Sequence, residues 1–184
     1  MARASSKQKN IQKYPLAIRV IHWFMALSIL GLIVVGYYMT GLSKDDPSRG
    51  DMYNLHKSFG SLVLILVIIR LSVRIFTKVP PLPKAIPDKE KKAAAAAHIL
   101  LYALMFSVPI LGFAMSNGYG YPVHLFALEM PVLFEKNIEL AKLANEWHEI
   151  MAYVLLAIVG LHFAGAMKHR FMDKKENDVL GRML

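Results

Sequence analysis

Four apolar stretches, each long enough to cross the hydrocarbon core of a bilayer, constrain this chain more than anything else in it. They fall at 17–40, 56–76, 94–115 and 147–168, against the roughly 20 residues a helix needs to span. Lipid offers the backbone no hydrogen bonds, so segments of this length must bond internally, as helices. The expectation is an all-α fold: one integral-membrane four-helix bundle, forming a single domain over residues 1–184. A hydrophobic content of 55% is too high for an ordinary soluble domain and agrees with this. The first stretch is longer than a signal-peptide core and no clear small-residue cleavage site ends it, so it reads as a retained span.

A net charge of +9 would suit a nucleic-acid partner if the basic residues were clustered on one surface. They are sorted by side instead. Five precede the first apolar core (Arg3, Lys7, Lys9, Lys13, Arg19), seven flank the second connection (Arg70, Arg74, Lys78, Lys84, Lys89, Lys91, Lys92) and five follow the fourth span (Lys168, Arg170, Lys174, Lys175, Arg182). Only Lys44, Arg49, Lys57, Lys136 and Lys142 fall on the other side. This is the positive-inside pattern, which puts both termini in the cytoplasm and makes lipid, not nucleic acid, the surrounding partner.

The connections fit the same plan. Residues 41–54 are polar and turn-rich, as a link between antiparallel neighbours should be. Residues 78–92 carry four prolines and a basic flank, so neither adjoining helix continues through them. The third connection keeps many apolar residues (NGYGYPVHLFALEMPVLF), then shows helical spacing at Ile138, Leu140, Ala141 and Leu143; it is expected along the outer membrane interface. Pro109 and Gly112 predict a kink in the third span.

Histidines carry the chemistry. His148 and His162 are fourteen residues apart on the fourth span, which on a helix is a rise of roughly 21 Å with both side chains on one face. Topology places His22 and His162 near the inner surface, and His56 and His148 near the outer. Ionisable residues inside spans are functional candidates by default. Two facing imidazoles at one depth can be satisfied by a shared metal, and zinc or copper sites usually recruit further carboxylate or sulfur ligands. The spans offer no such helpers at these depths, whereas a haem iron takes four nitrogens from its porphyrin and needs only two from protein. With no cysteine in the chain, any haem would be held non-covalently. Gly60, Ala152 and Val159 leave room for flat macrocycles beside these residues. Iron closed by two histidines transfers electrons rather than binding oxygen.

R-x-x-H-W at Arg19–Trp23, N-x-H-K-x-x-G at Asn54–Gly60, R-L-x-x-R at Arg70–Arg74, P-x-x-G at Pro109–Gly112, and W-H-E with G-L-H in the fourth span together resemble the bacterial cytochrome b561 family, over nearly all of Tyr14–Phe171. The resemblance implies a dihaem b-type cytochrome of the bacterial cytoplasmic (inner) membrane. It assigns His22 with His162 to an inner haem and His56 with His148 to an outer one. It also implies single-electron transfer between an outer donor, superoxide in some relatives, or a partner dehydrogenase and the quinone pool, with ubiquinone the acceptor in some relatives.

Arg19, Arg70, Arg74 and Lys57 are candidate contacts for haem propionates, since a guanidinium matches a carboxylate at two points; the positive-inside rule alone would also place the three arginines. His98 matches a histidine common in the family and is a candidate for a quinone site or for supporting the inner haem. His124 and His169 read as interfacial or solvated, and Trp23 and Trp147 as interface anchors. Two other readings stand beside the electron carrier: a haem-bearing anchor for a dehydrogenase or hydrogenase, and a transition-metal transporter with histidine pairs at entry and exit.

Overall fold

The computed structural model describes residues 12–184; Arg3, Lys7 and Lys9 of the charge pattern lie outside the described residues. Four helices dominate: α1 (Leu16–Gly41), α2 (Arg49–Phe76), α3 (Asp88–Gly118) and α4 (Ile138–Phe171). All four are long and apolar enough to cross a membrane. Tyr14 and Arg182 are joined by a backbone hydrogen bond of 2.9 Å, so the start of α1 and the segment after α4 meet at one end of the bundle. That end is termed inner, after the basic residues it carries, and the opposite end outer.

Each helix extends past its apolar stretch, α4 by nine residues at its start and α2 by seven. Hydropathy marks where lipid begins, while helix continues until a cap or a proline stops it. Asn137 caps α4, its side chain accepting from the Leu140 N–H at 3.0 Å, so the helical spacing at 138–143 is the first turns of α4 itself. Pro87 precedes α3, whose first turn carries Asp88 and Glu90, favourable charges at a helix N-terminus.

The helices form two antiparallel hairpins, α1 with α2 and α3 with α4, joined through α2 and α3. On the opposite side the hairpins stand apart: α1 and α4 meet at few positions, and no Cα of α2 comes within 8 Å of any in α4. The buried core sits at mid-depth, where Met25 and Ile29 of α1 and Val63 and Val67 of α2 meet Leu101, Leu104 and Leu155. Leu155 lies seven residues from both His148 and His162, so roughly 10 Å of apolar packing separates each histidine level from the centre.

Two segments depart from the sequence reading. Within the third connection, His124–Leu125 (β1) and Leu128–Glu129 (β2) form a small antiparallel hairpin. At the inner end the chain beyond α4 folds back in two short 3-10 turns. There Arg182 is 4% exposed and donates to the carbonyls of Pro80, Pro81 and Gln12. Asp178 is buried, pairs with Arg170 and caps Gly181. The tail therefore ties the segment before α1 to the proline-rich second connection.

Candidate cofactor site

The gap between the hairpins is bridged at two depths by histidine pairs. In the outer layer His56 of α2 faces His148 of α4 with ring centres 6.1 Å apart. In the inner layer His22 of α1 faces His162 of α4 at 6.2 Å. An imidazole nitrogen lies about 2 Å from a bound transition metal, so two imidazoles on opposite sides of one ion have ring centres roughly 6 Å apart. Both separations fit that geometry.

The outer pair is held by its surroundings. His148 Nδ1 lies 2.9 Å from the Val108 carbonyl; since a carbonyl can only accept, Nδ1 carries the proton and Nε2 keeps its lone pair free for a metal. Two glycines back the rings. A Cβ at Gly112 of α3 would lie 3.3 Å from His148 Cε1, and one at Gly36 of α1 would lie 3.2 Å from His56 Cε1. A Cβ at Gly60 would meet nothing within 4 Å, and Gly60 lines, with Ser61, Phe113, Val123 and the two histidines, the outer cavity. His56 Nδ1 is buried and lacks a well-formed hydrogen bond among the described residues, the Leu32 carbonyl being the acceptor beside it. An unsatisfied buried nitrogen costs about 1–3 kcal/mol, a cost that a hydrogen bond or metal there would remove.

The inner layer holds a third histidine. His98 of α3 has its ring centre 5.2 Å from that of His162, but α3 and α4 are the most closely packed helix pair. α1 and α4, by contrast, meet at few positions, so the wider side of the inner layer is the His22–His162 side. Arg19, one turn before His22, has a buried Nε without a partner among the described residues. Among the described residues no ion pair joins Arg19, Arg70 or Arg74 to a carboxylate. Arg70 Nε donates to the Tyr102 hydroxyl at 3.3 Å, and Lys57 Nζ donates to the Pro122 carbonyl at 2.8 Å. Guanidinium groups without a carboxylate partner among the described residues, beside a layer of imidazoles, suit an anionic cofactor edge. The donor set, the glycine-backed rings and the orphaned nitrogens all fit bis-histidine haem.

His169, expected at the interface or in solvent, lies at the inner end of α4 between two carboxylates, Nδ1 at 2.8 Å from Asp173 and Nε2 at 3.5 Å from Glu90, which also binds Lys168 at 2.6 Å. The His169 hydrogen bond holds the Asp173 carboxyl below its usual range. Asp173 is four residues after His169, but Glu90 comes from the start of α3, a pairing that periodicity along one helix does not reveal. Trp23 Nε1 donates to the Met183 carbonyl at 2.9 Å, adding a bond to the folded-back tail to its expected place at the interface.

The sequence pattern of the family described as prokaryotic cytochrome b561 matches residues 13–184. Cytochrome b561 homolog 2 of Escherichia coli (strain K12) is 31% identical over 175 residues, covering 94% of this chain and 92% of that protein. The probable superoxide oxidase CybB of Yersinia pestis is 26% identical over 168 residues, covering 89% and 91%. Cytochrome b561 homolog 1 of Escherichia coli is 25% identical over 167 residues, covering 89% and 92%. With four membrane-spanning helices and a near full-length match, the chain belongs to the prokaryotic cytochrome b561 family, as a bacterial inner-membrane electron carrier that binds b-type haem.

Proposed function

We propose that the chain holds two b haems, one between His22 and His162 and one between His56 and His148, and passes single electrons from an outer donor to quinone in the membrane. The observation that carries this is the pair of cross-bundle histidine contacts, at 6.2 and 6.1 Å, at the places where the helix backbones stand apart. Bound haem supplies reversible one-electron exchange at iron. The chain's own residues fix the imidazoles and their protonation. Arg19, Arg70 and Arg74 would neutralise inner propionates, while the apolar core around Leu155 keeps water from between the layers. His98, beside His162 but on the crowded side, supports the inner site or a quinone rather than ligating iron. Both termini face the cytoplasm, as the distribution of lysine and arginine favours.

Superoxide is the outer donor this reading favours, since one relative is named a probable superoxide oxidase and Lys57 adjoins the outer histidine. Two superoxide anions would give two electrons and two molecules of oxygen, and quinone with those electrons and two protons would give quinol. The test of the cofactor claim is a reduced-minus-oxidised spectrum with pyridine haemochrome quantification. A sharp b-type band at close to two haems per chain is expected, and a value near one would remove one of the layers. The donor is tested with Lys57→Gln. Its reduction by superoxide should be slower by up to roughly tenfold at low salt, with the difference shrinking as ionic strength rises. A loss independent of salt would mean that Lys57 acts only through its bond to Pro122.

A further inference from the structure

The connection between α3 and α4 changes depth in an unexpected way. Gly112 lies level with His148, and α3 then climbs six more residues, roughly 9 Å, before it ends. There Gly118 is in close contact with Ala141 of α4, a Cβ at Gly118 falling 2.9 Å from that of Ala141. From this raised point the chain turns back down. Ser58, two residues deeper in α2 than His56, donates its hydroxyl to the His124 carbonyl at 3.0 Å and accepts from the Phe126 N–H at 3.1 Å. Phe59 meets the Phe126 ring edge-on with centres 5.3 Å apart. The descent is about 12 Å on the helix rise. The chain reverses at Phe126 and Ala127, with Phe126 in the left-handed region at φ 56°, and climbs to Asn137, whose N–H donates to the Gly118 carbonyl.

The hairpin thus lies beside the outer histidine layer, and its composition suits lipid there. Residues 121–133 carry a single charged residue, the exposed Glu129 in β2, and Tyr121, Leu128 and Val132 are 64%, 62% and 70% exposed. Several of its backbone carbonyls have partners. The Tyr121 carbonyl accepts from Ser116 and Asn117, that of Pro122 from Lys57, and that of Val123 from the Met130 N–H. Pro122 and Pro131 have no N–H to satisfy. Irregular backbone at membrane depth persists only when its polar groups are bonded in this way. Meanwhile Val123, 2% exposed, packs inward as part of the outer cavity wall.

We infer that residues 121–133 form a re-entrant flap that inserts Leu128 and Val132 into lipid at the headgroup–acyl boundary, and that the same flap walls the outer histidine pair on that side. Its occupant is bilayer lipid, because the segment sits at the depth of the outer span ends and bonds its own backbone rather than leaving it for a partner protein. The chain's lack of cysteine permits a direct test. Leu128→Cys and Val132→Cys are labelled with a nitroxide in proteoliposomes, with Asp45→Cys, in the polar turn between α1 and α2, as the aqueous reference. Collision rates are measured with oxygen, which concentrates in lipid, and with a water-soluble nickel chelate. Labelled protein that keeps the parent's haem spectrum is scored, so folding is checked separately from depth. The expected result is a ratio of oxygen to nickel collisions well above the reference at both positions. Nickel access matching Asp45 would overturn the flap, and low access to both reagents, the mark of burial under a protein, would overturn the lipid assignment.

Discussion

His148→Ala is expected to halve the haem of the purified protein, removing the outer haem and sparing the inner, and His162→Ala is expected to do the converse. The reason is geometric. Both residues lie on α4, but fourteen positions and the Leu155 core separate them, and each faces a partner on a different helix, His56 on α2 or His22 on α1. Loss of one imidazole leaves its iron a single protein ligand, while the other layer keeps two. His98→Ala is the control that gives the experiment its edge. His98 is nearer His162 than His22 is, at 5.2 against 6.2 Å, so proximity alone would name it the ligand. α3 packs on α4 more closely than any other helix pair, so the wider side belongs to His22, and His98→Ala should keep both haems while His22→Ala loses the inner one. Haemochrome quantification, with electron paramagnetic resonance to resolve the two low-spin signals, checks all four variants. Equal loss of both haems from His148→Ala and His162→Ala would defeat the two-layer assignment.

How much of this was legible in the sequence depends on the distance over which each feature is encoded. The four spans are local, each a run of apolar residues with a length set by the bilayer, and the structure has a helix over every one. Histidine pairing was accessible because depth follows from topology: once helices alternate in direction, position along the chain becomes height in the membrane. Helix ends were not, since hydropathy reports lipid contact and α4 begins nine residues before its apolar run. The hairpin at 124–129 escaped because strands of two residues have no periodicity to detect, and what holds it is Ser58, some 66 residues earlier. Arg182 reads as one more inner-side charge, yet it is buried against carbonyls from two distant segments. The role of Gly112 was hidden for a related reason. In an apolar run beside Pro109 it reads as a helix-loosening residue, and only the fold shows the ring behind it.

That ring makes Gly112 the site of the second large effect. Gly112→Val is expected to abolish outer haem binding while leaving the inner haem in place. A single added Cβ would already lie 3.3 Å from His148 Cε1 and 3.4 Å from Nδ1, and the two methyl groups of valine extend beyond it. His148 cannot simply retreat, because its Nδ1 is bonded to the Val108 carbonyl on the same helix as the intruding side chain. Displacement therefore breaks the bond that fixes the tautomer and turns Nε2 away from His56. Overpacking of this kind costs about 1–3 kcal/mol in stability, which is small beside the loss of a ligand's orientation. Gly112→Ala should be milder, asking the ring to give by a few tenths of an ångström, and should shift the outer haem's spectrum rather than remove it. Gly31→Ala supplies the opposite sign. Its added Cβ would meet nothing within 4 Å, and alanine favours a helix interior over glycine by roughly 0.8–1 kcal/mol, so both haems should remain with melting temperature unchanged or raised. If Gly112→Val kept two haems with unaltered spectra, His148 would not be held as a ligand by the glycine behind it, and the outer site would have to be built from other contacts.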